Sequence, residues 1–128
     1  MPENKRRKKF ARVRKKYVAC AADIAPGERR ILEVAGKSIG IFNVRGEYFA
    51  LLNRCPHMGG NLCEGPITGT TLPSSDVRYA YGREGELVRC AWHGWEFEIA
   101  SGMCLVDPKM QVRAYPVTEE GGQLMVHI

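Results

Sequence analysis

No apolar run in this 128-residue chain approaches the roughly 20 residues that a membrane-crossing helix needs. No stretch keeps apolar residues at a 3.6-residue spacing over three turns, so amphipathic helices are not expected. A glycine-rich nucleotide loop, an activating nucleophile and a hydrolytic dyad are all missing, which argues against substrate turnover by this chain. Histidine is scarce, at three residues. His127 lies in a terminal strand-like stretch and is no candidate ligand, which leaves His57 and His93.

The charge is uneven. Residues 1–16 hold nine basic side chains against Glu3, and the remainder holds 10 basic and 13 acidic ones, a balance of −3. The expected organisation is a basic arm without fixed structure over 1–16, then a single domain over 17–128. Phe10 is the arm's only aromatic residue before Tyr17, and no readout motif accompanies it, so nucleic acid is not the expected partner. An arginine pair ahead of an apolar stretch suggests export, but Tyr17–Ala25 is short and broken by Asp23. Five cysteines, an odd number, fit a reducing compartment better than a disulfide framework. The expected location is cytoplasmic.

After residue 16 the chain reads as short strands punctuated by Gly and Pro, an all-β pattern of small antiparallel sheets. The expected strands are Tyr17–Ala22, Arg30–Val34, Ser38–Val44, Glu47–Asn53, Val77–Tyr81, Glu86–Arg89, Glu96–Ile99, Val112–Val117 and Gln123–His127. Arg45-Gly46 and Gly121-Gly122 read as tight turns. Val77–Tyr81 is expected to pair with Glu86–Arg89 across Gly82–Gly85.

Two segments stand apart: Cys55-Pro56-His57-Met58-Gly59-Gly60 and Cys90-Ala91-Trp92-His93-Gly94-Trp95. Each offers one thiolate and one imidazole close together. Such a set suits an iron–sulfur centre in which two His replace two Cys on one iron, and it also suits zinc. The spacing favours the first. Zinc sites usually grip one ion with a Cys-x₂₋₄-Cys pair, whereas here each loop gives one ligand of each kind.

These boxes resemble those of the Rieske family, C-x-H and then C-x-x-H. Cys55–Gly65 (CPHMGGNLCEG) and Cys90–Gly102 (CAWHGWEFEIASG) are similar to the cluster loops of ferredoxins from bacterial ring-hydroxylating oxygenase systems. The resemblance implies one [2Fe–2S] cluster per chain, with Cys55 and Cys90 on the inner iron and His57 and His93 on the outer one. It also implies a ferredoxin that is not itself an enzyme and carries single electrons from a reductase to an oxygenase. A redox-sensing or structural small subunit of a larger oxidoreductase is the alternative.

Respiratory relatives of high potential carry an extra Cys in each loop, and a Ser and a Tyr whose hydroxyls donate to sulfur. Here Trp92 stands at the second loop's extra Cys position, and Trp95 and Phe97 replace the hydroxyl donors. Fewer donors disfavour the reduced cluster, so the expected potential lies near the low end of the Rieske range, about −150 mV. The 32 residues between His57 and Cys90 exceed the spacer of the short ferredoxins, with the excess expected as an insertion over about 66–85. Cys20 and Cys104 read as small buried hydrophobes, and Cys63, six residues after His57, stands where the resemblance implies that various small residues are tolerated.

Overall fold

The structure, a computed structural model, describes residues 14–56, 59–72, 80–90 and 95–128, with only the backbone course for 69–72 and 80–84. Among the described residues ten strands follow one another: β1 (Lys16–Ala21), β2 (Arg29–Val34), β3 (Lys37–Val44), β4 (Glu47–Leu52), β5 (Ile67–Leu72), β6 (Ala80–Arg89), β7 (Glu96–Glu98), β8 (Ala114–Tyr115), β9 (Val117–Glu120) and β10 (Gln123–His127). A single 3-10 turn, Leu62–Glu64, lies between β4 and β5. Among the described residues no helix is long and apolar enough to cross a membrane.

The strands form three antiparallel sheets, in the orders β1-β10-β9, β2-β3-β4-β8 and β5-β6-β7. The second sheet has a core on each side, and its sequence shows why. Along β3, Ile39 and Ile41 point into one buried cluster with Leu124 and Val126 of the β10 sheet. Phe42 points into another, with Cys55, Val88 and Phe97. Side chains alternate across a strand, so a strand buried on both faces is apolar throughout. β4 repeats the pattern, Ala50 facing the first cluster and Leu51 the second.

The Arg45-Gly46 and Gly121-Gly122 turns are present, with positive φ at both residues of each (52° and 95°; 60° and 78°). That is the twist a two-residue hairpin requires. Ala35-Gly36 makes a third such turn, φ 52° and 80°, which Ala35 concealed in the sequence.

Two expectations fail. Gly82–Gly85 is no hairpin turn. β6 runs through it, and its partner is β5, which the sequence analysis left inside the spacer. Thr-rich, β-branched residues 67–72 supply that strand despite Gly69. Thr68 faces Leu87 but Thr70 faces Gly82, so the glycines mark an irregularity that absorbs surplus residues of β6. Residues 77–79 of the expected Val77–Tyr81 strand lie outside the described residues. Val112–Val117 is likewise not one strand: β8 ends before Pro116, which has no N–H, and β9 begins after it.

The buried polar side chains among the described residues are Asn43 and Asn53, and both are satisfied. Asn43 Nδ2 donates to Ile24 O at 2.8 Å and its Oδ1 accepts Gly46 N–H at 2.8 Å. The Tyr115 hydroxyl is different: it is buried with no hydrogen-bond partner among the described residues. Such a group costs about 1 kcal/mol or more in desolvation. Tyr115→Phe is therefore expected to raise stability by about 1 kcal/mol, seen as a higher urea midpoint at unchanged slope. A lower midpoint would show that the hydroxyl is bonded in solution.

Candidate metal centre

β4 and β6 each deliver a cysteine to the same place. Cys55 follows β4 by three residues and Cys90 directly follows β6. Both are buried, at 0% and 1% exposure, and share one core cluster. The two loops close in the same way. Cys55 N–H donates to Gly60 O at 2.7 Å and Cys90 N–H to Trp95 O at 2.8 Å, each five residues onward. In the first loop Gly59 N–H also donates to Cys55 O at 2.7 Å. Gly59 has φ +80°, a conformation that glycine adopts without strain.

No disulfide joins Cys55 to Cys90. The backbone ties them instead. Arg89 N–H donates to Pro66 O at 2.9 Å, and Ile67 pairs with Val88. A Cβ on Gly65 would lie 1.8 Å from the Arg89 carbonyl oxygen, so only glycine permits this approach. The Arg29 guanidinium donates to the Gly65 carbonyl from β2.

The first loop is fastened a second time, by Asn53. Its Oδ1 accepts Cys63 N–H at 2.8 Å, its Nδ2 donates to Ser38 Oγ at 3.1 Å, and its own N–H donates to Ser38 O at 2.9 Å. Cys63 packs so close to β3 that a Cβ on Gly40 would fall 2.6 Å from its Sγ. Burial pushes the Cys63 thiol up to about 12, which keeps it protonated and a poor ligand at neutral pH. Cys104 is buried as expected, while Cys20 is only half-buried.

Of the four expected ligands, Cys55 and Cys90 are brought together. His57 and His93, with Trp92, lie outside the described residues. Phe97 is fully buried and Trp95 half-buried beside the cysteines. Two buried thiols in matched loops against an apolar wall fit a sulfide-bridged iron pair. Asn53, Arg29 and Gly65 were not picked out by the sequence analysis. Their roles depend on partners 10 to 36 positions away, so no local motif announces them.

Asn53→Ala leaves the buried Cys63 N–H without a partner and is expected to cost about 2 kcal/mol. Thermal denaturation followed by circular dichroism reads the loss, and the visible spectrum should bleach at the same lowered temperature. Asn53→Asp, which keeps an acceptor, should recover part of it. An unchanged midpoint in Asn53→Ala would show that the clamp does not hold the loop.

Comparison with known proteins agrees with this geometry. The model of the Rieske [2Fe-2S] domain matches residues 14–116. The ferredoxin component of the p-cumate 2,3-dioxygenase system of Pseudomonas putida is 33% identical over 112 residues, covering 85% of this chain and 82% of that protein. The ferredoxin of carbazole 1,9a-dioxygenase from Nocardioides aromaticivorans IC177 superposes with a TM-score of 0.66 at 21% identity, over 90% of this chain and 97% of that one. A ferredoxin–oxygenase complex of carbazole 1,9a-dioxygenase includes a chain matching at TM-score 0.65 and 22% identity, over 87% and 90%. The paired cysteine loops and these matches lead to one conclusion: the chain belongs to the Rieske [2Fe–2S] family.

Proposed function

We propose that this Rieske protein is the ferredoxin of an oxygenase system, taking single electrons from a reductase and passing them to the oxygenase. The observation that carries the reading is the pair of buried cysteines, Cys55 and Cys90, in two loops closed by the same five-residue hydrogen bond. The relative in Pseudomonas putida, the ferredoxin component of a dioxygenase system, supports the carrier role. The oxygenase as acceptor draws on the ferredoxin–oxygenase complex among the structural neighbours. The reductase follows from the chemistry, since a carrier that is oxidised by its acceptor must be reduced again.

Cys55 and Cys90 would hold the inner iron and His57 and His93 the outer one. When bound, the [2Fe–2S] cluster supplies reversible one-electron exchange. The chain's own part is to orient and to exclude water. The buried cysteines keep the thiolate side away from solvent, and the backbone tie at Gly65 sets the separation of the loops. Phe97 and Trp95 border the site without offering a hydroxyl, which favours a potential near −150 mV, roughly the low end of the Rieske range. We place this β domain over 17–128, with the basic arm 1–16 outside it, and we place the protein in the cytoplasm, where five cysteines without a disulfide among them stay reduced.

Electron paramagnetic resonance of the reduced protein, together with film voltammetry, tests the ligand set. Wild type should show a mixed-ligand signal and a potential near −150 mV, roughly. The His57→Cys, His93→Cys double variant should take on an all-thiolate signal and fall toward about −400 mV. A signal unchanged in the variant removes the histidines from the ligand set, and a clearly positive wild-type potential contradicts the role given to Phe97 and Trp95.

A further inference from the structure

The residue immediately before each loop cysteine is an arginine, Arg54 before Cys55 and Arg89 before Cys90. Both are exposed. The Arg54 guanidinium lies over its own loop, with Nη2 3.4 Å from where a Cβ on Gly59 would stand. Neither arginine forms an ion pair with a carboxylate among the described residues. Two acids are near them without forming an ion pair: Glu64 is exposed on the 3-10 turn, and Glu96, across from Arg89, accepts from Thr68 Oγ1 at 3.2 Å.

Asp107, directly after Val106, is half-buried and accepts Lys109 N–H at its Oδ1 at 3.1 Å, and a further group of acids sits elsewhere. Glu47, Glu86 and Glu98 line one shallow cleft together with Arg45, which pairs with Glu86. Glu86 is four residues from Cys90 along an extended strand, about 13 Å away. Outside the arm the domain is net negative, yet each loop cysteine is preceded by an exposed arginine that forms no ion pair among the described residues.

The same end carries exposed apolar surface. Arg89 on β6 lies opposite Glu96 on β7 in the strand register, and Glu96 O accepts Leu105 N–H at 2.9 Å, so residues 105–106 lie two strand spacings, about 10 Å, from Arg89. Val106 is 66% exposed and Met103 38% exposed, two of the three exposed large apolar side chains among the described residues. An apolar centre with arginine beside it is the composition of a protein-docking face.

We propose that the face bearing Arg54, Arg89 and Val106 docks an acidic surface of the redox partner, drawn in by the two arginines. The inference rests on the electron-carrier reading and names the chemistry of the partner that reading requires. Opposite potentials on two surfaces accelerate encounter and fix its orientation.

Small redox probes of opposite charge test the face on the full-length, iron-loaded protein. In stopped flow, one electron passes from each reduced protein to hexacyanoferrate(III), giving hexacyanoferrate(II), or to the cationic tris(1,10-phenanthroline)cobalt(III), giving the cobalt(II) complex. At about 10 mM ionic strength the screening length is about 30 Å. There the Arg54→Gln, Arg89→Gln double variant should lose roughly tenfold in rate with the anion and lose nothing with the cation. The difference should vanish near 1 M salt, where the screening length is about 3 Å.

Arg54→Lys, Arg89→Lys keeps the charge and should keep the rate. Lys16→Gln, on the β1 sheet away from the loops, should change the rate far less than the double variant. Poly-L-glutamate should slow the anion's reaction with wild type and spare the double variant. An equal loss in Lys16→Gln assigns the effect to net charge and overturns the docking face. So does protection by a single-stranded oligonucleotide that matches protection by polyglutamate, which points to nucleic acid instead. If both probes oxidise wild type and double variant at the same rates, the docking face falls and the carrier reading stands. If neither probe oxidises the reduced protein, the carrier reading falls and takes the docking face with it.

Discussion

The contact between Gly65 and the backbone of Arg89 governs the site. It is where the end of the first cysteine loop meets the start of the second, with no side chain between them. A disulfide would fix two loops by a covalent bond. Here the same task falls to a close backbone approach, the Arg89 N–H to Pro66 O hydrogen bond and the antiparallel start of β5 and β6. Each backbone bond contributes only about 1 kcal/mol net, so the tie depends on several acting together. Arg29 and Asn53 add to it from the neighbouring sheet, and they anchor the loop's return to β2 and β3.

The middle sheet makes this anchoring possible. β3 and β4 are apolar on both faces, packing on the β10 sheet with one and on the cysteine loops with the other. A loop attached to such a sheet inherits its rigidity, because moving it would open two cores at once. Cys63 and Gly40 show how tightly the loop sits, with no room for one added carbon between them. Rigid surroundings suit electron exchange, in which little should move when the charge state changes.

Much of this was legible in the residues. Short apolar runs punctuated by Gly and Pro marked β2, β3, β4 and β10 nearly to the residue, and two of the three glycine-bearing hairpin turns among the described residues were visible. The cysteines of the site were legible because ligand chemistry demands particular atoms at short spacing. β5 was not, since Gly69 and the Pro73-Ser74-Ser75 run disguised a threonine-rich strand. The Gly82–Gly85 stretch misled for a related reason: glycine marks both turns and irregular strands, and only the partner strand decides between them. Asn53, Arg29 and Gly65 stayed hidden because each acts on a residue distant in sequence.

The central claim is that one iron is held by two thiolates and the other by two imidazoles. Mössbauer spectroscopy of the oxidised, ⁵⁷Fe-loaded protein tests it most directly, because it reads each iron separately. Mixed ligation predicts two quadrupole doublets of equal area with different isomer shifts, one from a sulfur-rich iron and one from a nitrogen-ligated iron. A single doublet from two equivalent irons, or a purified protein that takes up zinc and no iron, would contradict it.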